Sequence, residues 1–241
     1  MGIYKHSMMI RFGTFLIIVL TAAGLAAQPK IDIPGNKFDF GMAPQGAVLV
    51  QYFWFRNPGT DTLHINRIVT GCDCATMPLT QQYIAPGDSM NVGLFWQTER
   101  KIGNTGRYPY IYTDASKDAA RIFLTAQVLP SLDSARPVSF KPYKMELTKL
   151  PTMQVDSVAF LVTNHSTFPA VLKVITPPVE QCEVSIPDSL PSGSQGMGYV
   201  KVKPAYKDKE FENSFTVLVS SSAKDPTYRF TIPIRRKTYG K

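Results

Sequence analysis

The chain has 241 residues, of which 44% are hydrophobic and 18% charged, and its formal net charge is +8. These proportions suit a chain that folds around a buried core, so they exclude a disordered protein, a collagen and a polytopic membrane protein. Three cysteines and three histidines are too few for a disulfide-built scaffold or a histidine-rich metal site. The length allows one large domain or two domains of about 100 residues each.

Residues 1–27 carry the features of a secretory signal peptide. The basic residues Lys5 and Arg11 precede an apolar stretch over 12–20, and a run of small residues follows. These are the three parts of a signal peptide, and the apolar stretch is shorter than the ~20 residues that span a bilayer. We therefore predict cleavage before Gln28, export to the periplasm or the cell surface, and a mature protein that does not span the membrane.

The basic excess lies in the second half of the chain, which closes with Arg235, Arg236, Lys237 and Lys241. A basic surface can contact lipid head groups, anionic polysaccharide or nucleic acid. Because the excess is small and an exported protein seldom meets nucleic acid, we favour a solvated surface and expect no nucleic-acid partner.

Short runs rich in β-branched and aromatic residues recur along the chain, separated by Gly, Pro, Asn or Asp, and no segment shows sustained helical periodicity. In the first half the predicted strands cover residues 37–40, 47–56, 62–69, 89–97, 107–113 and 121–129. Strands at this spacing without intervening helices are typical of an antiparallel sandwich of about seven strands and roughly 100 residues. The predicted fold class is therefore all-β.

The second half repeats this plan. The pattern Phe-x-Phe-x-Asn at 53–57 corresponds to Phe-x-Val-x-Asn at 160–164, a shift of 107 residues. Similarity at a fixed period indicates a duplicated structural unit. We therefore predict two tandem β-sandwich domains, the first over 28–130 and the second over 131–241.

The same correspondence separates core from surface positions on one strand. Phe53 and Phe55 match apolar residues of the repeat and are predicted to point inward. Tyr52 and Trp54 then project from the other face, because side chains alternate along a strand. Two neighbouring exposed aromatic residues would form a binding patch. The alternative is that the linker or the other domain covers them.

Three tyrosines of the 107–113 run also fall on apolar residues of the repeat. Tyr108, Tyr110 and Tyr112 correspond to a phenylalanine and two valines at the same shift. We therefore predict that these tyrosines belong to the core, with their hydroxyl groups near its rim.

Four motifs of the first half resemble a known family. They are Phe-Asp-Phe-Gly at 38–41, Phe-x-Phe-x-Asn-x-Gly at 53–59, Cys-Asp-Cys-Ala-Thr at 72–76 and Ile-Ala-Pro-Gly at 84–87. Together they resemble the bacterial domain of unknown function 1573 family. The resemblance implies an immunoglobulin-like fold, related to Hydin-type and major-sperm-protein-like domains. It implies no activity, because a fold does not fix a function.

The resemblance covers about residues 35–130 and has one departure. The usual centre of the family is Cys-Gly-Cys-Thr, whereas this chain has Asp73 and Ala75 at the second and fourth places. The second half keeps the strand rhythm but lacks the cysteine pair. The two predicted sandwiches are accordingly expected to be immunoglobulin-like, the second as a divergent repeat.

Cys72 and Cys74 are the main candidates for chemistry. Separated by one residue, they can face the same way from an extended chain, and an oxidising compartment favours a disulfide. Three interpretations stay open: a structural disulfide or packed small residues, a strained and easily reduced redox disulfide, and a thiolate pair that binds copper or zinc. A metal site needs further ligands, and the nearest histidine, His64, lies within a predicted strand. We expect no cofactor, and we expect Cys182 to be buried and reduced.

Asp followed by Ser or Thr and an apolar residue occurs at Asp61, Asp88, Asp133, Asp156 and Asp188. Turn chemistry that begins strands explains these triplets. The alternative is that they are O-glycosylation sites, so an O-linked glycan is a candidate modification.

No catalytic motif is present in the sequence, since it lacks a Gly-x-Ser-x-Gly elbow, a His-Glu-x-x-His motif and a Gly-rich phosphate loop. We therefore predict an exported, non-enzymatic protein that presents a binding surface to other envelope proteins, through Tyr52 and Trp54 or through unpaired strand edges. A second interpretation is a periplasmic chaperone that grips extended clients, with Arg136 and Lys141 as basic cleft residues near the linker. A third is a thiol-redox or copper-handling role of the cysteine pair.

Overall fold

The computed structural model describes residues 27–99, 102–178, 180–220 and 227–239. The predicted signal peptide lies outside the described residues except for its last residue, Ala27. The described residues form β-strands and one short 3-10 helix, and the predicted all-β class is confirmed. In these ranges no helix has the length and apolar character needed to cross a membrane.

The strands of the first half follow the predicted runs closely. They are β1 (Lys37–Pro44), β2 (Val48–Arg56), β3 (Leu63–Val69), β4 (Ala75–Thr76), β5 (Tyr83–Ile84), β6 (Ser89–Gln97), β7 (Gly103–Arg107), β8 (Tyr110–Thr113), β9 (Ser116–Arg121) and β10 (Phe123–Leu129). The prediction missed β4 and β5, which have only two residues each, and β9, whose polar sequence carries no strand propensity. It also missed β7, since the run predicted over 107–113 corresponds to β8 and overlaps β7 only at Arg107.

The second half adds nine strands and the 3-10 helix. They are β11 (Val138–Lys141), β12 (Met145–Lys149), β13 (Ser157–Asn164), β14 (Ala170–Val174), β15 (Cys182–Ser185), β16 (Ser189–Leu190), β17 (Gln195–Val202), the helix Pro204–Tyr206, β18 (Phe211–Ser220) and β19 (Tyr228–Thr238).

These strands form four sheets. The first half contains the sheets β2-β6-β4 and β5-β3-β8-β9, and the second half contains β11-β13-β17-β15. The fourth sheet crosses from one half to the other in the order β16-β14-β18-β19-β1-β10-β7, with β12 also paired to β19. Apolar residues of facing sheets meet in the interior, as Phe160 on β13 and Phe215 on β18 do at a ring separation of 6.0 Å.

Three strand pairs are parallel, which the antiparallel prediction did not include. They are β1 with β10, β1 with β19, and β12 with β19. All three join strands that are distant in the sequence. A parallel pair needs a long connection, and here most of a domain supplies it in place of a crossover helix. The remaining pairs are antiparallel, as predicted.

The buried apolar side chains form two separate clusters. One contains residues between Ile33 and Val128, and the other contains residues between Leu132 and Ile234. Each half therefore has a hydrophobic core of its own. The interval between the clusters is the place where the sequence predicts the boundary between two domains, at residue 130, and that division stays a prediction.

Asn57 and Asn164 occupy matching places in the two halves, and both are buried. Each side-chain amide donates a hydrogen bond to the carbonyl group four residues further on, and each side-chain oxygen accepts the N–H two residues further on. The amides also donate to the carbonyl groups of Ile84 and Leu190 respectively. These shared bonds support the predicted duplication.

Arg236 is a buried cation of the second half, and Asp156 is its counter-ion. The Arg236 Nη2 atom lies 2.8 Å from Asp156 Oδ1, and Arg236 Nη1 donates to the Val155 carbonyl oxygen at 2.7 Å. Burial acts to raise the pKa of Asp156, but hydrogen bonds from Gln154 and Arg236, with the charges of Arg236 and Lys207, outweigh it and hold that pKa below its ordinary value.

The two halves are joined where β19 lies beside β1. Gly41 has a φ of 64°, and a Cβ atom there would lie 2.2 Å from the Arg229 carbonyl oxygen. Thr231 Oγ1 donates to the Phe40 carbonyl oxygen at 2.7 Å, and Arg229 Nη1 donates to that of Asp39 at 3.0 Å. The close approach therefore requires glycine, and it fixes how the second half sits against the first.

Candidate functional site

Strand β2 places its aromatic side chains on two faces, as predicted. Phe53 and Phe55 are buried, whereas Tyr52 is 39% exposed and Trp54 is 49% exposed. Gly93 of β6 lies opposite Tyr52, and a Cβ atom on it would lie 3.0 Å from Tyr52 Cε1. The absence of a side chain at Gly93 therefore leaves room for the Tyr52 ring.

Tyr52 also borders a cleft of about 230 Å³ between the two halves. The first half contributes β2 and β6 to this cleft, and the second half contributes β18 and the segment after β14. The second half thus covers Tyr52 in part, while Trp54, the next outward-facing residue along β2, lies outside the cleft. Amide side chains from both halves and one carboxylate give the cleft its polar character: Gln51, Asn91, Gln181, Asn213 and Glu180.

Side chains of the second half influence the ionisation of Tyr52 across the cleft. Burial raises the pKa of the Tyr52 hydroxyl, and the nearby carboxylate of Glu180 adds to that effect, while a hydrogen bond with the Gln181 side chain opposes it. Gln181 Oε1 in turn accepts a hydrogen bond from Asn213 Nδ2 at 2.9 Å. Tyr52 is therefore a neutral phenol at physiological pH, held by contacts from across the cleft.

Strand β2 is an edge strand of its sheet, and both ends of its outer edge have partners. At one end the Val50 N–H donates to Ser214 Oγ, with 2.8 Å from nitrogen to oxygen. At the other end Arg56 exchanges two backbone hydrogen bonds with Asp32, at 2.9 Å and 3.0 Å. Both contacts come from outside the sheet β2-β6-β4.

The middle of the same edge is open. Outward-facing backbone groups alternate along an antiparallel strand, so those of Tyr52 and Trp54 face the same edge as those of Val50 and Arg56. Among the described residues, the only hydrogen bond to these outward groups of Tyr52 and Trp54 comes from Gln51 Nε2 to the Tyr52 carbonyl oxygen, at 3.2 Å. Unpaired edges are templates for another strand. One short stretch of β2 therefore combines two exposed aromatic side chains with unpaired main-chain groups.

Cys72 and Cys74 form a disulfide in a turn before β4, with a Cα–Cα distance of 5.2 Å. Both residues are half-buried. By the loop-entropy relation, a bridge that closes a three-residue loop stabilises the fold by only about 1.6 kcal/mol, against about 3 kcal/mol for a 15-residue loop. The benefit of a purely structural bridge is therefore small here. The described residues contain no group of three or more Cys, His, Asp or Glu side chains placed to hold a metal ion.

Arg107 contacts this disulfide from β7. Its Nε atom lies 3.1 Å from Cys74 Sγ, and its guanidinium carbon lies 5.1 Å from the centre of the buried Trp96 ring. The contact joins residues 33 positions apart in the sequence, so the cysteine motif by itself gave no sign of it.

The other cysteine and the candidate histidine lie elsewhere. Cys182 is free and 2% exposed, as predicted, and burial raises the pKa of its thiol to about 12. His64 lies on β3 with an exposed side chain, and its backbone N–H donates to Asp114 Oδ1 at 2.9 Å.

Arg136 and Lys141, the predicted chaperone-type residues, are exposed and lie near opposite ends of β11. Arg136 Nη1 donates to the carbonyl oxygens of Ser134 and Ala135, both at 3.0 Å. Neither residue is among the described residues that line the cleft. The structure does not bring the two side chains together.

The prediction that Tyr108 belongs to the core is wrong, because this residue is 51% exposed. Tyr110 and Tyr112 are half-buried and lie 4.8 Å and 4.2 Å from the guanidinium carbons of Arg121 and Arg67. The burial pattern of the second half does not transfer to these tyrosines, for a local reason. The second half has one continuous strand, β18, whereas the first half has a break between β7 and β8 that changes which side chains face the core.

The Asp-Ser and Asp-Thr triplets lie mostly where strands begin. Strands β3, β6, β13 and β16 start within four of the five triplets. Asp61 Oδ1 also accepts the N–H of Thr62 at 2.7 Å, a local bond typical of turns. This placement supports the turn interpretation, and the glycan stays a prediction.

Residues 31–128 match the profile of the family described as Protein of unknown function (DUF1573), which confirms the resemblance seen in the sequence. No curated protein matches the chain significantly.

Several solved structures align with this chain at low sequence identity and low TM-score. A protein of unknown function from Porphyromonas gingivalis W83 is 8% identical, over 85% of this chain and 99% of the other, at a TM-score of 0.34. The ASH / PapD-like domain of human CEP192 (PapD-like domain 7) is 11% identical, over 54% of this chain and 99% of the other, at a TM-score of 0.37. The YadV chaperone is 12% identical, over 84% of this chain and 98% of the other, at a TM-score of 0.32.

Proposed function

We propose that this protein, whose first half matches the DUF1573 family, binds an extended segment of a partner protein along the open edge of β2, as a non-enzymatic component of the bacterial cell envelope. The supporting observation is that Tyr52 and Trp54 are exposed on one short stretch of edge, where the described residues offer their outward N–H groups no hydrogen-bond acceptor. In strand addition, main-chain hydrogen bonds supply affinity and side-chain contacts supply specificity.

The ends of the open edge limit the length of the partner segment. Ser214 occupies the edge at Val50, and Asp32 occupies it at Arg56. An added strand therefore pairs with residues 51–55, a length of roughly 17 Å at the usual rise of a strand. Within this length it meets the outward groups of two residues, which favours a short and selective contact over a long sheet extension.

The neighbouring cleft favours a polar continuation of the partner segment. Beyond Tyr52 the cleft offers amide groups as donors and acceptors, and the carboxylate of Glu180 as its acidic group. A neutral or positively charged residue next to the pairing segment fits these groups, whereas an acidic residue would repel the Glu180 carboxylate.

The features of residues 1–27 support the envelope as the location. A basic segment, a short apolar segment and small residues precede the first domain, as in exported proteins. Mass spectrometry of the protein recovered from the envelope fraction tests this part of the proposal. We expect a mature chain that begins at Gln28, and recovery of the uncleaved chain from the cytosol would contradict it.

Two substitutions and a photo-crosslinking residue at position 54 test the edge. Trp54→Thr removes the ring and keeps the N–H, whereas Trp54→Pro also removes the N–H, which has no native partner to lose on an edge strand. A photo-crosslinking residue at position 54 identifies the partner in envelope extract, with the same residue at Tyr83, which is 53% exposed on a different sheet, as the matched control. We expect one adduct at position 54 that is absent at 83. Affinity for that partner should fall with Trp54→Thr and fall further with Trp54→Pro.

Two results would contradict the proposal. Equal labelling at positions 54 and 83 would mean that the patch has no preferred partner. Equal affinity of Trp54→Thr and Trp54→Pro would mean that the main-chain edge takes no part in binding.

A periplasmic chaperone is the second candidate, because the same open edge is suited to a strand of an unfolded client. Charge reversal at the predicted basic residues separates the two roles. A chaperone that grips client carboxylates should lose client recovery with Arg136→Glu and Lys141→Glu, whereas the binding role proposed here leaves these variants unaffected, because both residues lie outside the cleft.

A further inference from the structure

Arg107, the cation next to the disulfide, forms no ion pair with any of the acidic residues that the structure describes. Arg107 Nε donates to Cys74 Sγ at 3.1 Å, and Nη1 donates to the Gly106 carbonyl oxygen at 2.6 Å. None of the ion pairs among the described residues includes Arg107. Its charge is therefore directed at a sulfur atom and at the face of the Trp96 ring, in a half-buried site.

The contact between Arg107 and Cys74 changes in strength with the redox state. A disulfide sulfur is a weak, neutral acceptor, whereas a thiolate carries a full charge and accepts a charge-assisted hydrogen bond. A cation next to a cysteine therefore stabilises the thiolate and with it the reduced pair. A disulfide whose reduced form is stabilised is a stronger oxidant.

The backbone holds Cys74 at this contact. The Gln97 N–H donates to the Cys74 carbonyl oxygen at 2.7 Å, next to the pairing of Ala75 with Trp96 on β6. The Cys72 carbonyl oxygen accepts a hydrogen bond from Thr70 Oγ1 at 3.1 Å, within the turn. Both cysteines lie in the turn, and the bond from Gln97 keeps Cys74 beside Arg107 when the disulfide is reduced.

We propose that the Cys72–Cys74 disulfide undergoes stoichiometric exchange with a dithiol of a partner protein, with Cys72 as the sulfur attacked and Cys74 as the leaving thiolate held by Arg107. A partner thiolate attacks Cys72 Sγ, the Cys72–Cys74 bond breaks, and its electron pair goes to Cys74 Sγ. The second partner thiolate then attacks the partner sulfur of the mixed disulfide and releases Cys72. The partner dithiol is oxidised to a disulfide, the cysteine pair is reduced, and the partner's thiol protons pass to water or to Cys72.

The other charged and reactive groups fit this assignment. Asp73 lies between the two cysteines and is exposed, so water and salt screen the repulsion between its charge and the thiolate. Cys182 takes no part, because it is buried in the other core cluster. The inference does not depend on the β2 edge, so Trp54→Pro leaves the exchange unchanged.

The first experiment equilibrates the full mature chain with buffers of reduced and oxidised glutathione. Alkylation of the native protein followed by mass measurement then counts the reduced cysteines, and Cys182 reacts only after unfolding. The midpoint is the glutathione redox ratio at which half of the Cys72–Cys74 pairs are reduced. We expect Arg107→Gln to shift this ratio about tenfold in favour of the disulfide, since a neutral hydrogen bond replaces a charge-assisted one. Arg67→Gln is the matched control, because Arg67 also stacks on an aromatic ring, at 4.2 Å from Tyr112, and should leave the midpoint unchanged. An Arg107→Gln midpoint equal to that of the unmodified chain would overturn the proposal.

The second experiment uses the unmodified chain, so it tests the proposal even if Arg107→Gln fails to fold. A limiting amount of a cysteine-containing peptide thiol is added to the oxidised protein, acid stops the reaction, and peptide mapping locates the mixed disulfide. We expect the adduct on Cys72. We also expect Cys74 of the reduced protein to alkylate before Cys72, because a neighbouring cation favours the reactive thiolate. An adduct on Cys74, no adduct at all, or equal alkylation profiles for both cysteines would overturn the proposal.

Discussion

Replacing Gly41 by alanine should loosen the junction between the two halves. Gly41 lies where β1 meets β19, in a left-handed backbone conformation. Its missing side chain leaves space for the main chain of Arg229, whose carbonyl oxygen would lie 2.2 Å from an alanine Cβ. Because that neighbour is backbone, the clash cannot be relieved by a side-chain rotation, and β19 must move away.

The expected cost has two parts. A left-handed conformation costs an alanine about 1–2 kcal/mol relative to glycine. Displacement of β19 also breaks the hydrogen bonds from Thr231 to Phe40 and from Arg229 to Asp39. At about 1 kcal/mol of net stabilisation each, these bonds bring the total loss in the free energy of unfolding to about 3–4 kcal/mol.

Gly35→Ala is the matched control. Gly35 has nearly the same φ, 68°, but a Cβ atom there would have nothing within 4 Å. It therefore carries the conformational cost without the clash. Denaturant unfolding of both variants should show Gly41→Ala to be about 2 kcal/mol less stable than Gly35→Ala, and small-angle scattering should show a larger radius of gyration for Gly41→Ala alone. Equal destabilisation with an unchanged radius would refute the reasoning.

Three further predictions concern Asp156, Cys182 and the disulfide. Asp156→Asn should cost about 3 kcal/mol at neutral pH, the low end for a broken buried ion pair, because Asp156 is partly exposed and its loss leaves the buried Arg236 without a counter-ion. Since the pKa of Asp156 is lowered in the folded state, its contribution to stability is present above about pH 4 and is lost as the pH falls through the folded-state pKa. The stabilities of the wild type and the variant should therefore converge in acid. A difference in stability that persists below the folded-state and unfolded-state pKa values would contradict this. Cys182 should resist alkylation in the native protein at pH 8 and react fully in denaturant, and rapid native labelling would show that it is not buried. Replacing Cys72 and Cys74 by serine should lower the free energy of unfolding by only about 1.6 kcal/mol, and global unfolding of that variant would mean that the bridge is primarily structural.

Much of the fold could be predicted because local sequence determines it. Alternation of side chains along one strand placed Phe53 and Phe55 inside and Tyr52 and Trp54 outside, and the structure confirms all four positions. The repeat located a second buried asparagine, Asn164, with the same kind of bonds as the first. Alternation and strand-end chemistry depend on neighbouring residues, so one sequence is enough to detect them.

The open edge of β2 and the Arg107–Cys74 contact both depend on residues that are far apart in the sequence. A single sequence carries no signal for such contacts. Val50 and Ser214, which close one end of the β2 edge, are 164 residues apart. Arg107 reaches Cys74 from a strand whose sequence, Gly-Asn-Thr-Gly-Arg, has no strand propensity. The error at Tyr108 has a related cause, because a two-residue break in the first half interrupts the register that the repeat assumes.

Pairing of an extended partner with the open edge of β2 can be followed by amide hydrogen exchange. The N–H groups of Tyr52 and Trp54 should exchange rapidly in the isolated protein, since the structure shows no partner for them among its described residues. A synthetic peptide that covers the crosslinked segment of the partner should slow exchange at these two amides and leave that of Phe53, which pairs within the sheet, unchanged. Protection of Tyr52 and Trp54 by the peptide is the predicted result. Peptide binding that leaves both amides in rapid exchange would contradict the account.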